Sequence, residues 1–159
     1  MMHRTNPLRL LAATAALSLA LVGCSAAGTS PSSDGGGGGT TVAVTLQEWA
    51  VVPASNSTTA GEDTFEVTNN GPDDIHEFVI LKTDLDPAEL AVDENGAVTE
   101  DGEGIEVIDE IEDLPVGETE EVTATLEAGS YVLLCNIWDE TEGEAHYEMG
   151  MRTPFTVND

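Results

Sequence analysis

The stretch YVLLCNIWDETEGEAHYEMGMRTPFTV, Tyr131 to Val157, reads as β-strand at both ends and carries one cysteine, one histidine and two methionines between them. Tyr131, Leu133 and Cys135 alternate on one side of the first segment, and Phe155 and Val157 alternate at the far end. Alternation of this kind gives a strand one face to bury. The same period recurs upstream: Val42, Val44 and Leu46; Phe65 and Val67; His76, Phe78 and Ile80; Ile105 and Val107; Val122, Ala124 and Leu126. Turn signals separate these runs at Asn70-Gly71-Pro72, Asn95-Gly96, Pro115-Val116-Gly117 and Ala128-Gly129. Only Asp86-Pro87-Ala88-Glu89-Leu90 predicts a helix, a short one, with Asp86 as cap and Pro87 in first position. Roughly seven short strands with regular turns predict an all-β fold, an antiparallel β-sandwich.

The N-terminus has a different character. Arg4 and Arg9 precede an apolar run, Leu10 to Val22, broken only by Thr14 and Ser18. Such a run is short for a membrane span but suits the core of a signal peptide. It ends in Leu21-Val22-Gly23-Cys24, which resembles the bacterial lipobox, where cleavage precedes a cysteine that then carries lipid. Residues 1–23 are therefore expected to be a lipoprotein signal peptide. Cys24 would be the lipidated residue and 24–40 a Ser/Gly-rich tether, with a root-mean-square reach of roughly 20 Å. A single domain then occupies 41–159, outside the cytoplasm and lipid-anchored to the bacterial cell membrane.

Charge narrows the function. The chain has 4 basic and 31 acidic residues, a formal net charge of −27. With Arg4 and Arg9 in the leader, Lys82 and Arg152 are the only cations left. Binding nucleic acid by neutralising phosphates is excluded on these grounds. Thirteen carboxylates lie between Asp93 and Glu121 with no cation among them. They read as a solvated face or as a docking face for a basic partner. Asp93-Glu94-Asn95-Gly96 does not fit the EF-hand pattern, and there is no P-loop or dinucleotide fingerprint.

With Cys24 committed to lipid, Cys135 has no partner for a disulfide. A spare thiol outside the cytoplasm tends to oxidise unless something protects or uses it. The remaining imidazole and soft sulfur side chains of the domain are His76, His146, Met149 and Met151. Taken singly, Cys135 reads as a small buried hydrophobe, His76 as a strand-end histidine and His146 as a loop histidine. Taken together, two imidazoles, a thiolate and a weak thioether are the donor set of a blue-copper electron-transfer site. Cys135 and His146 also have the types of a thiol nucleophile and base, but no oxyanion motif accompanies them. An enzyme is therefore not expected.

Two stretches carry a family resemblance. Val67-Thr68-Asn69-Asn70-Gly71 with His76-Glu77-Phe78-Val79-Ile80 resembles the first-histidine region of the cupredoxins. Tyr131 to Cys135 with His146-Tyr147-Glu148-Met149-Gly150-Met151 resembles their C-terminal ligand loop. The spacing of His146 and Met151 is similar to that of the rusticyanin-type members. The resemblance implies a Greek-key sandwich with one mononuclear type 1 copper site at one end, held by His76, Cys135, His146 and Met151. Met151 is preferred to Met149 for its Gly-Met context and spacing. The resemblance also implies an exposed edge of His146 as the electron port.

The sequence departs from the family pattern twice. Ten residues, Asn136 to Ala145, separate Cys135 from His146, where relatives have two to four; four of the ten are acidic. Glu77 also follows His76 where relatives often carry Asn or Ser in support of the cysteine sulfur.

The resulting expectation is a membrane-tethered blue-copper protein that shuttles one electron via Cu(I)/Cu(II), with a redox partner that has a basic docking face. Two alternatives stay open at this point: a copper-binding module for capture, buffering or delivery, and a metal-free sandwich for adhesion or assembly. Trp49, Trp138 and Tyr147 are read as packing residues.

Overall fold

The structure is a computed structural model that describes residues 39–159. The expected leader, Cys24 and nearly all of the tether lie outside the described residues. Eleven strands follow in order: β1 Thr40–Gln47, β2 Ala50–Pro53, β3 Ser57–Thr59, β4 Gly61–Asn69, β5 His76–Lys82, β6 Glu106–Leu114, β7 Thr119–Leu126, β8 Gly129–Leu134, β9 Trp138–Asp139, β10 Glu144–Ala145 and β11 Arg152–Asn158. One helical turn, α1, spans His146–Met149.

The strands form two main sheets, ordered β2-β1-β4-β7 and β3-β11-β8-β5-β6, with β9 and β10 as a separate hairpin. The expected sandwich is thus present. Its sheets are mixed, because β1 runs parallel to β4 and β3 parallel to β11. Alternation reports which face of a strand is buried but not the direction of its neighbour.

The inward faces are those marked by the period-two pattern. Val42, Val44 and Leu46 of β1, Phe65 and Val67 of β4, and Val122, Ala124 and Leu126 of β7 come from the first sheet. Phe78 and Ile80 of β5, Leu133 of β8, and Phe155 and Val157 of β11 meet them from the second. Phe65 sits between Phe78 and Phe155, with ring centroids 5.6 and 5.7 Å away and the rings inclined. Each such buried side chain contributes about 1.5–3 kcal/mol, and each inclined aromatic pair adds about 0.5–1.5 kcal/mol.

Strands β5 and β8 are buried on both faces. Val79, Leu81, Val132 and Leu134 point away from the main core into a second cluster with Leu90, Val98 and Tyr147. This explains the unbroken apolar runs FVIL and YVLL, which alternation alone does not produce. The cover comes from the segment between β5 and β6. Its Asp86–Leu90 stretch is a turn rather than the expected helix. Asp86 Oδ1 accepts the N–H of Ala88 at 2.8 Å, and the Asp86 carbonyl accepts that of Glu89 at 2.9 Å. The aspartate cap closes one turn, and Leu90 then drops into the second cluster instead of extending a helix.

Asn69 ends β4 fully buried and holds the approach to His76. Its Nδ2 donates to the carbonyls of Asp74 and Leu114, both at 2.9 Å, and its Oδ1 accepts the N–H of Gly71 at 2.8 Å. Gly71 has φ 56°, and a Cβ there would meet Val116 Cγ1 at 2.7 Å. The left-handed backbone there favours glycine.

Candidate metal centre

Three strand ends meet at one end of the sandwich. His76 is the first residue of β5, Cys135 directly follows β8, and His146 opens α1. The ladders fix their relative positions: Val79 faces Leu134 across β5 and β8, and Leu134 faces Arg152 across β8 and β11. All three side chains are buried, at 0 %, 0 % and 1 % exposure. Their donor atoms face one another. His76 Nδ1 lies 3.2 Å from His146 Nδ1, and Cys135 Sγ lies 3.4 Å from His146 Nδ1 and 4.0 Å from His76 Nδ1. The point equidistant from the three lies about 2.1 Å from each, within the range of about 2.0–2.3 Å at which a first-row metal such as zinc binds nitrogen and sulfur.

The three contacts are of hydrogen-bonding length, and the same donor set suits a metal ion. Burial pushes the Cys135 thiol up to about 12, and burial with the neighbouring His146 pulls His76 down to about 4. Burial lowers His146 as well. At neutral pH all three groups are therefore uncharged without a cation. A thiol hydrogen and one ring hydrogen can bridge the three atoms when no cation is present. A soft or borderline cation at the centre satisfies all three and takes the thiol as thiolate. The residues present fit such an ion.

The ten-residue insert is an ordered hairpin. Strand β9 pairs with β10 through Asp139–Glu144 and Trp138–Ala145. Asp139 builds the turn: its Oδ1 accepts the N–H groups of Thr141 and Glu142 at 2.6 and 3.1 Å, and its carbonyl accepts that of Gly143 at 2.8 Å. The His146 N–H donates to the Ile137 carbonyl at 3.0 Å, so the insert is closed at its neck. The long spacing leaves the ligand positions undisturbed because the extra residues pair with each other.

Backbone bonds lock the rest of the loop. Cys135 N–H donates to the Met151 carbonyl and Met151 N–H to the His146 carbonyl, each at 3.0 Å. The two methionines separate cleanly: Met151 is fully buried in the core beside Cys135, while Met149 is 43 % exposed. Met149 ends α1 and Met151 follows its Gly150 cap, where φ is 123°, so the chain reverses between the two side chains. It was not legible as a helix because it is only four residues long.

One departure from the family pattern is made good by the main chain, and one sequence expectation needs correction. Glu77 does not leave the sulfur unsupported, because its backbone N–H donates to Cys135 Sγ at 3.2 Å. The support comes from the main chain and is indifferent to the side chain. His146 presents no exposed edge, since it is buried. Trp49 stands beside it, with centroids 5.0 Å apart and rings inclined by 68°. Trp49 in turn lines a surface recess with Glu48, Pro72, Asp73, Asp74 and Glu142.

Sequence reasoning passed over three supporting residues. Glu48 faces His76, with Oε1 3.7 Å from Nε2. Asn69 holds the preceding loop, as described. Asn136 pins the cover to the ligand loop: its Nδ2 donates to the Val98 carbonyl and Glu100 Oε1, and its Oδ1 accepts the Val98 N–H. Only Asn69, beside a turn glycine, carried a visible signal.

No protein-family model and no curated protein matches the sequence. Solved structures do match. Dithionite-reduced auracyanin from the photosynthetic bacterium Roseiflexus castenholzii aligns at TM-score 0.53 and 25% identity, covering 77% of this chain and 100% of that one. Auracyanin A, described as a "blue" copper protein from Chloroflexus aurantiacus, aligns at 0.52 and 23%, covering 76% and 100%. Auracyanin B aligns at 0.51 and 22%, covering 76% and 89%. The latter two likenesses show the shared fold.

Glu77 also yields a pH dependence. Its side chain accepts the Asn136 N–H at 3.1 Å. Burial, with the nearby charges of Glu100, Glu110 and Glu112, pushes its carboxyl up to about 7 from 4.5. The folded state therefore holds a proton that the unfolded state gives up first, and this stabilisation is lost as pH rises from 4.5 through 7. In the metal-free protein, Glu77→Gln keeps the acceptor and removes the charge. It should be more stable than the parent above pH 7, by on the order of 1–2 kcal/mol after allowing for the group's partial contact with water. The gain should vanish towards pH 4.5. Urea midpoints across that range test this, and a gain independent of pH would contradict it.

Proposed function

We propose, taking as premise a cupredoxin β-sandwich that gathers His76, Cys135, His146 and Met151 at one end in the arrangement of a type 1 copper site, that this protein is a blue-copper electron carrier. The observation that carries the reading is the buried triangle of two Nδ1 atoms and one Sγ, with sides of 3.2, 3.4 and 4.0 Å. His76, Cys135 and His146 would hold one copper ion, with the Met151 thioether as the weak axial donor. When bound, copper supplies a one-electron couple between Cu(I) and Cu(II).

The chain's own residues supply the rest. The β5–β8–β11 ladder and the Cys135–Met151–His146 backbone bonds hold the donors in place. Donors fixed by the fold need little rearrangement when charge changes. Burial of all three excludes water, and the Glu77 N–H steadies the sulfur. The β9–β10 hairpin orders the segment between Cys135 and His146, which favours a fixed redox centre over the capture-and-delivery alternative.

Reconstitution is the first test. The metal-free protein should take up one Cu(II) per chain with an intense visible thiolate-to-copper band, and Cys135→Ser should abolish the band. Met151→Leu should keep copper but move the reduction potential, whereas Met149→Leu should leave it where it is. Absence of stoichiometric copper binding would end the reading.

A redox partner with a basic face fits the copper-bearing end. Asp74, Asp139, Glu144 and Glu48 all act on His146 through their charges, and Trp49 bridges from His146 to the acidic recess. Electron exchange with a cationic ruthenium ammine should slow at least tenfold between about 0.01 and 1 M salt as the Debye length contracts. Asp73→Asn with Glu142→Gln should reproduce part of that loss, while Glu62→Gln with Glu66→Gln should not. Equal effects of the two pairs would remove the docking face from the proposal.

The N-terminal sequence supports the final element, a lipid tether at Cys24 that holds the carrier at the outer face of a cell membrane. Expressed in a bacterium, the full chain should fractionate with membranes and Cys24→Ser should release it. Unchanged fractionation would refute the tether.

A further inference from the structure

Glu48 occupies the turn between β1 and β2, on the sheet opposite His76, and reaches across the open end of the sandwich. Its side chain is 11 % exposed. Oε1 accepts the N–H groups of Asp73 and Asp74 at 3.1 and 2.9 Å, which ties down the loop entering β5. The same oxygen lies 3.7 Å from His76 Nε2. Among the described residues, Glu48 Oε2 and His76 Nε2 are both buried with no hydrogen-bond partner. Among the described residues no cation offsets the carboxylate: Lys82 pairs with Glu127, and the Arg152 guanidinium bonds the Tyr147 carbonyl and lies over the Tyr147 ring. The two donated N–H groups favour the ionised carboxylate. An anion is thus held, nearly dry, behind the ring of a candidate ligand. That arrangement is costly unless a positive charge lies close by.

We propose that Glu48 is a positioning and charge-tuning residue of the metal centre. Its carboxylate faces the Nε2–H of His76, fixes the tautomer whose Nδ1 lone pair points into the triangle, and favours the more highly charged oxidation state of the ion held there. Carboxylate–histidine–metal relays act this way in other metal sites, and loss of the outer group costs about 10–100-fold in affinity. The inference rests on the copper reading above.

Glu48→Gln separates the charge from the loop clamp, because the amide oxygen still accepts the Asp73 and Asp74 N–H groups. Cu(II) affinity, read by competition with a chelator, should fall about tenfold while Cu(I) affinity changes little. The reduction potential should then rise by about 59 mV, the one-electron equivalent of a tenfold change. Glu62→Gln, at the other end of β4, should move neither. A folded Glu48→Gln protein with the parent's Cu(II) affinity and potential overturns the inference and leaves Glu48 a loop clamp. Failure of the parent to bind copper would instead bring down the reading beneath it. Should Glu48→Gln not fold, proton NMR of the Cu(I)-loaded parent decides. A slowly exchanging His76 Nε2–H is expected, and a rapidly exchanging one overturns the proposal.

Discussion

Two imidazole nitrogens and a sulfur share a dry space that has room for one ion. Everything else at this end of the molecule maintains that convergence. His76 stands 59 residues from Cys135 and 70 from His146. Bringing such distant points together costs chain entropy. The sandwich supplies the offset, chiefly through the Phe65–Phe78–Phe155 contact and the interleaved aliphatic rows between the sheets. Phe78 lies two residues beyond His76 and Leu133 two residues before Cys135, on the same faces. The strands that bury the core therefore also aim the donors.

The second cluster makes this aim rigid. β5 and β8 carry two of the three donors and are packed on both sides, by the main core and by Leu90, Val98 and Tyr147. Tyr147 belongs to the ligand loop itself. Its hydroxyl donates to the Pro87 carbonyl at 2.7 Å, so the cover and the loop hold each other. Asn136 makes a second tie between the same two segments. A loop with ten extra residues can be stiff under these conditions, since the excess is spent on a hairpin whose neck is closed by His146 and Ile137.

Charge is arranged around the site as much as within it. Acidic side chains cluster about the recess beside Trp49 and His146, while the two cations of the described domain are engaged elsewhere. A centre that gains positive charge on oxidation sits comfortably in such surroundings. The basic partner proposed above would meet this field at the end where the ring of Trp49 approaches His146.

The sequence by itself determined the class of fold, the faces that form the core and the inventory of donors. Each depends on local order along the chain: alternation, turn chemistry and the mere presence, within the described domain, of one thiol with two imidazoles and two thioethers. Tertiary structure alone decided the remainder. Parallel pairing of β1 with β4 leaves no trace in alternation. A main-chain N–H supports the sulfur, and backbone groups have no letter in a sequence. Met151 differs from Met149 because Met149 ends α1 in solvent while Met151, past the Gly150 cap, enters the core. His146 is shielded by Trp49, and His76 is faced by Glu48, across distances that only folding sets. Short-range pattern records what a residue must bury; which distant group it meets depends on how the two sheets close.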